Sequence, residues 1–272
     1  MTTAIATFDY ATEPVTATAC PVCGRDNPSR PTTDRYGFAI GLSGCVSCGL
    51  RYLNPRMSAD QYMRFYQMAY RPLVDAYCAT DTTGPRAVAA ATKRASVLAV
   101  RWQTWLRQPV KTLLDVGGGA GTVARVLSNA LRCPAVTVLD PNAEDVAQAE
   151  AVGCRGIVGA VETLPPPTES YDLITCLQTA DHWLDPIAAL TWMRQACAPG
   201  GHLWIDILDV PACATVYPRA CLWKIDHPLY WSTGTLLLAL RRTGWRPVGW
   251  VYLTTRNGQA VRYRPGFWCE GV

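Results

Sequence analysis

The stretch KTLLDVGGGAGTVARVL, Lys111 to Leu127, restricts the fold more than any other part of the chain. Lys111 to Val116 is a short apolar run suited to a central strand, and Ala120 to Leu131 has helical apolar spacing. Glycines between them let the backbone turn tightly and approach a ligand at the carboxyl end of the strand, where open α/β sheets bind. Their spacing separates two cofactor classes. A dinucleotide fold takes G-x-G-x-x-G, but its third position is Thr122, and the glycines here are Gly117, Gly119 and Gly121. Asp115 closes the strand. An acid there is awkward beside a pyrophosphate and well placed for a cationic amine. The next strand, AVTVLD, ends in Asp140, an acceptor for both hydroxyls of a ribose, with Pro141 beside it. The plain alternatives are a tight turn for the glycines and an N-cap near Asn142 for Asp140.

Twelve cysteines sort themselves by spacing. Cys20 and Cys23 form CPVCG, Cys45 and Cys48 form CVSCG, and eight others (Cys78, Cys133, Cys154, Cys176, Cys197, Cys213, Cys221, Cys269) stand singly. In a reducing compartment two Cys-x-x-Cys knuckles read as one tetrahedral zinc site. A disulfide or redox pair competes, but neither pair lies in a βαβ context. Four thiolates leave no open position, so such a zinc is structural. Residues 15–57 are therefore read as the zinc module and 58–108 as a helical lid or linker. Ser58 is the predicted N-cap of ADQYMRFYQMAY, TDTTGP is a loop, and a second helix follows before residue 109. From 109 to 272 strands and helices alternate, which makes the chain α/β with a Rossmann-like, doubly wound, mostly parallel sheet.

Composition excludes little else. The net charge of +4 is too mild to imply nucleic acid, and lysine occurs only at Lys93, Lys111 and Lys224. MTTAIATFDY lacks a basic segment followed by an apolar core, and runs such as TLLLAL are too short to cross a bilayer. The expectation is a cytoplasmic protein with no membrane partner.

The glycine turn with its two acids, GAVETLPP, YDLITCLQTADHWLDP with the later PGG, and HPLYWSTGTLLLALRRTGW together resemble the class I S-adenosylmethionine-dependent methyltransferases. CGLRYLNPR followed by FYQMAY is similar to a subgroup carrying a zinc module and a tyrosine-bearing helix. The resemblance spans residues 18 to 265 and implies a final antiparallel hairpin. It implies that Asp115 orients the cofactor's amino group and that Gly117, Gly119 and Gly121 pass beneath it. It also implies that Asp140 holds the ribose, that Val161 and Glu162 border the adenine, and that Gln178 faces the methyl group. Tyr66 and Tyr70 become a lid. Ala160 departs from the acid many relatives have there, which leaves adenine to backbone groups, packing or Glu162. Asp181 replaces a commoner glutamate.

A sulfonium methyl is already activated, so such a protein positions a nucleophile in line and excludes water. An oxygen nucleophile also needs a base, and the chain has three histidines. His202 lies in a predicted strand and reads as structural. His182 and His227 remain as candidates, with Tyr230 near the latter on a presumed substrate loop. The resemblance favours a small-molecule acceptor, phosphorylated or nucleotide-linked in one version. RNA methylation and a non-catalytic binding protein are the rival readings. Residues 1–75 carry seven arginines against six acids, far from the basic surface an RNA-gripping module needs. The last 32 residues hold six arginines against Glu270. The zinc module is expected to act through position alone, setting the angle of the Tyr66 helix while leaving cofactor affinity comparatively intact.

Overall fold

The computed structural model describes residues 10, 12–79, 84–215, 222–257 and 260–272, with side chains throughout these except at 252–263. The opening MTTAIATFD, most of the TDTTGP loop, Cys221 and the side chains of Arg256 and Arg262 lie outside the described residues.

Three short strands open the chain: β1 (Ser29–Thr33), β2 (Ala39–Gly44) and β3 (Arg51–Leu53), paired antiparallel in that order. Helix α1 (Ala59–Met68) starts where the sequence places it. Ser58 Oγ accepts from the Gln61 amide and Gln61 Oε1 accepts from the Ser58 amide, so two orphan donors satisfy each other's ends. Helix α2 (Tyr70–Cys78) follows after one residue. Helix α3 (Pro85–Gln103) begins on a proline, whose missing amide costs nothing in a first turn.

The remaining elements are β4 (Thr112–Val116), α4 (Thr122–Leu131), β5 (Ala135–Asp140), α5 (Ala143–Ala151), β6 (Arg155–Val158), β7 (Tyr171–Cys176), α6 (Pro186–Ala196) and β8 (Cys197–Asp206). They continue with α7 (Val210–Cys213), β9 (Leu229–Tyr230), α8 (Thr233–Arg242), β10 (Trp245–Asn257) and β11 (Ala260–Gly271). Seven strands form one sheet in the order β10-β11-β8-β7-β4-β5-β6. Pairs from β8 to β6 are parallel, and β11 joins β8 and β10 antiparallel, as the expected final hairpin requires. Leu113 to Val116 in β4 are all buried, the mark of a central strand covered on both faces. The order reverses between β4 and β7, and that switch point is where a ligand crevice opens. On one face α3 contributes Trp102 to a cluster with Trp204 and Trp268, at ring distances of 5.2 and 5.9 Å.

The boundary drawn at residue 57 follows chain order but not packing. The fourth strand of the small sheet is β9, which pairs Leu229 with Tyr52 and Tyr230 with Arg51. Cys20, Val22, Cys45, Leu50 and Tyr52 share a continuous core with Leu229, Trp231, Leu236 and Ala239. Polar bonds repeat the seam: Thr235 Oγ1 donates to the Cys48 carbonyl at 2.9 Å and Arg242 to that of Val22 at 2.8 Å. The front end, predicted as a module on its own, is built into the larger body because its short strands cannot enclose a core alone. No helix among the described residues is long and apolar enough to cross a membrane.

Candidate active site

A cleft of about 460 Å³ opens at the carboxyl ends of β4, β5 and β7, and α1 and α2 close its outer wall. Eleven of the residues singled out in the sequence line it: Tyr66, Tyr70, Gly117, Gly119, Asp140, Pro141, Ala160, Val161, Glu162, Gln178 and His182. Gly117 has φ +70, and a Cβ there would meet Thr179 Oγ1 at 2.2 Å, so no other residue fits the turn. At Gly119 a Cβ would meet only Arg71, at 3.8 Å, and Asp145, at 4.0 Å, among the described residues. Asp140 accepts from the Gly119 amide and from the Asn142 amide, both at 2.9 Å, which ties the turn to the end of β5. Asn142, not Asp140, caps α5, through bonds from the Glu144 and Asp145 amides. Burial pushes the Asp140 carboxyl up, while those two amides pull it back.

Gln178 sits at φ +57, a conformation that costs a non-glycine residue about 1–3 kcal/mol and persists only where surroundings impose it. Its amide donates to Asp206 Oδ1 at 2.9 Å, which anchors the strained turn at the mouth of the cleft. Glu162 lines the cleft but one oxygen accepts from the Leu184 amide at 3.0 Å, so it also braces the turn after His182. Arg56, the last residue of the quoted CGLRYLNPR, reaches the Leu184 carbonyl at 2.9 Å from the other side.

Four expectations need correction. Asp115 does not line the cleft: it is buried behind the glycine turn, where Thr175 Oγ1 donates to it at 2.6 Å. Burial outweighs that bond and raises its carboxyl to about 7. Gly121 faces away as well, and its Cβ would strike Ala149 of α5 at 2.9 Å, so it is a packing glycine. Tyr230 is buried in the seam with the small sheet, its hydroxyl donating to the Lys224 carbonyl and accepting from the Lys224 amide. His227 stands one layer behind the cleft. The C-terminal arginines do not gather into one described patch either, since Arg242 is tied to Val22 and Arg246 to Glu270.

His182 and His227 nevertheless touch, with rings 4.6 Å apart. His227 Nδ1 lies 2.8 Å from Asp181 Oδ2, and its Nε2 lies 3.0 Å from Lys224 Nζ and 3.4 Å from Asp226 Oδ2. Burial alone would raise the Asp181 carboxyl, but His227, through its electrostatic pull and its bond, and Lys224 hold it well below the usual carboxylate range. Asp181, His182 and His227 bring ligand atoms within 4.8 Å of one another. Both His227 nitrogens are already engaged, one by an ammonium, whereas Asp181 Oδ1 is buried with no partner among the described residues. His182 is pushed down to about 4, first by burial and then by His227, so it is neutral at pH 7. Trp231, fully buried, donates to the Ala180 carbonyl at 2.9 Å and fixes the turn that carries the pair.

Sequence reasoning missed Arg71, Asn142, Thr179 and Trp183 among the lining residues. Arg71 is bonded to Asp145 at 2.9 Å. It is the one lysine or arginine among the described lining residues, which otherwise hold Asp140, Asp145, Glu162 and Asp185.

The four knuckle cysteines converge as their spacing demands. Cys20 and Cys48 sulfurs lie 3.4 Å apart, as do those of Cys23 and Cys45, and all four fall within 4.8 Å of one another. Tetrahedral zinc with 2.3 Å bonds needs sulfurs about 3.8 Å apart, so the group fits with small adjustments. Gly24 and Gly49, both at positive φ, turn the backbone after each pair and bond back to the Cys20 and Cys45 carbonyls.

Residues 84–249 match the sequence profile of a methyltransferase domain, more than half of the chain. The chain belongs to this methyltransferase family. An uncharacterized methyltransferase of Schizosaccharomyces pombe is 28% identical over 130 residues, 43% of this methyltransferase and 45% of the yeast protein. A ubiquinone biosynthesis O-methyltransferase of Vibrio atlanticus is 31% identical over 106 residues, 36% of this chain and 44% of its own length. The chain thus spans under half the length of these curated relatives. Among solved structures, a SAM-dependent methyltransferase of Leishmania major superposes with a TM-score of 0.58 at 17% identity, covering 78% of this chain and 82% of that one. At that identity the likeness establishes a shared methyltransferase fold.

Proposed function

We propose that the chain transfers a methyl group from S-adenosylmethionine to an oxygen of a small-molecule acceptor. The observation that carries this is the shared cleft: Asp140 at the end of β5 and His182 after β7 line the same space, separated by the glycine turn. When bound, the cofactor supplies an activated methyl on a positive sulfur. Asp140 accepts from the ribose, Val161 and the backbone at Ala160 border the base, and Gln178 stands at the strand end where the methyl arrives. Arg71, as the sole fixed cation of the described lining, takes the cofactor's carboxylate. His182, neutral near pH 7, removes the acceptor's proton. His227 and Asp181 act behind it, holding the turn. Zinc, bound by Cys20, Cys23, Cys45 and Cys48, folds the front end and takes no part in the chemistry. Relatives named for ubiquinone and hydroquinone methylation support a small acceptor. An RNA acceptor finds little support in a near-neutral front end and dispersed arginines.

The test is calorimetric. S-adenosylhomocysteine should bind the wild type, and Arg71→Gln should weaken it about tenfold or more. Methylthioadenosine, which lacks the amino-acid part, should bind both proteins alike. No binding of either compound would refute the cofactor reading, and equal losses for both would remove Arg71 from it.

A further inference from the structure

Resting on that reading, we infer that Tyr66 is a positioning residue that holds His182 in the tautomer with its hydrogen on Nδ1, so that a bare Nε2 faces the acceptor. The argument is a count of hydrogens. Tyr66 has one hydroxyl hydrogen and two close partners, the Asp226 carbonyl at 3.2 Å and His182 Nδ1 at 3.0 Å. A carbonyl only accepts. If Tyr66 donates to His182, two oxygens are left facing each other without a hydrogen between them. If Tyr66 donates to Asp226, both contacts are satisfied, provided that Nδ1 carries hydrogen and donates to the phenol oxygen. The second arrangement gives both Tyr66 contacts a hydrogen, and a buried contact without one is costly.

The surroundings keep this arrangement in place. Burial raises the Tyr66 hydroxyl well above its ordinary value, with Tyr62, Asp226, Tyr70 and Glu162 adding to the effect, so it retains its hydrogen. Tyr70 packs edge-on against both Tyr66 and His182, at 5.4 and 5.8 Å, and blocks ring rotation. The titratable neighbours of His182 include His227, Asp181, Asp226 and Lys224. They engage one another, and Nδ1 is the ring nitrogen of His182 with a bond to the protein. In the transfer step the acceptor's O–H hydrogen passes to Nε2, an oxygen lone pair forms the new C–O bond, and the sulfur–methyl bond breaks with its electrons returning to sulfur. The imidazolium later returns its proton to water.

Tyr66 is carried by α1, which is capped at Ser58 directly behind the knuckle module. The cysteine-rich front end therefore leads directly into the helix that supplies this hydroxyl group.

The chain has three histidines, so nitrogen-15 spectra of histidine-labelled protein are assignable by single substitutions. In the full-length wild type between pH 6 and 8, the His182 signal should show a protonated, pyrrole-type Nδ1 and a bare, pyridine-type Nε2. Tyr66→Phe should shift it several-fold toward the tautomer that free histidine prefers, with hydrogen on Nε2. His182→Asn keeps a donor at the Nδ1 position and removes the signal to be assigned. A bare Nδ1 in the wild type, or an unchanged tautomer in Tyr66→Phe, would overturn the inference. Failure to bind S-adenosylhomocysteine in the same samples would strike the cofactor reading and leave the tautomer result standing.

Discussion

The two sheets of this protein meet different demands. The seven-stranded sheet is closed by its own helices, and its central strand β4 is buried along nearly its whole length. The four-stranded sheet has strands of two to six residues, borrows β9 from the far end of the chain, and gathers four cysteines at one corner. A sheet that can build a core holds a cleft at its strand ends. One that cannot must be cross-linked and leaned against a larger neighbour. The contrast teaches that the front end is separate in composition but joined in its packing.

The strongest test of that contrast is metal removal. Zinc held by four thiolates contributes on the order of 10 kcal/mol to folding, comparable to the whole stability of a domain. Because Cys20 and Cys45 share a core with Trp231 and Leu236, stripping zinc or making Cys20→Ser/Cys45→Ser should melt the chain in one transition. Elemental analysis should first show one zinc per chain. Two separated transitions, with S-adenosylhomocysteine still bound after the first, would restore an independent module.

A smaller effect is expected from Trp231→Ala at the seam. Its side chain is fully buried and loses a bond to Ala180, so chemical denaturation should report a loss of about 3–5 kcal/mol. A loss under about 1 kcal/mol would mean that the seam bears little of the fold's stability. Within the larger sheet, Asp140→Ala leaves the Gly119 and Asn142 amides without an acceptor. S-adenosylhomocysteine affinity should fall about 10- to 100-fold by titration, with zinc content unchanged.

A pH dependence tests the burial of the central strand itself. Asp115 titrates near 7 in the fold against 3.8 for the free group, so its ionisation opposes folding as pH rises. Relative to Asp115→Asn, the wild type should be fully favoured below pH 4, lose ground between about 4 and 7, and level off above 7. Denaturation curves at pH 4, 6 and 8 check this sequence. A flat difference would show that Asp115 is not buried as described.

Much of the site was legible because its signals are local. The glycine turn, Asp140, the Ser58 cap and the two knuckles each depend on residues within a few positions of one another, where spacing dictates geometry. Asp115 and Gly121 were misplaced for a related reason. Spacing fixed the turn, but which of its residues face the cleft depends on Thr175 and Ala149, brought in by other elements. Tyr230 was read as part of a substrate loop because nothing in HPLYW reveals that Tyr230 completes a sheet begun at Ser29. Arg71 was missed since an arginine on an amphipathic helix looks solvated until the opposing acids are known.

The two-residue strand β9 has a consequence for how such chains can be recombined. A front end exchanged between relatives at residue 57 would arrive without the strand that completes its sheet, and Tyr52 would face a foreign partner at Leu229. The heritable unit is discontinuous: residues 15–57 and the segment around 222–240 have to travel together. A chimera cut at a single junction should be insoluble, whereas one that exchanges both segments should fold.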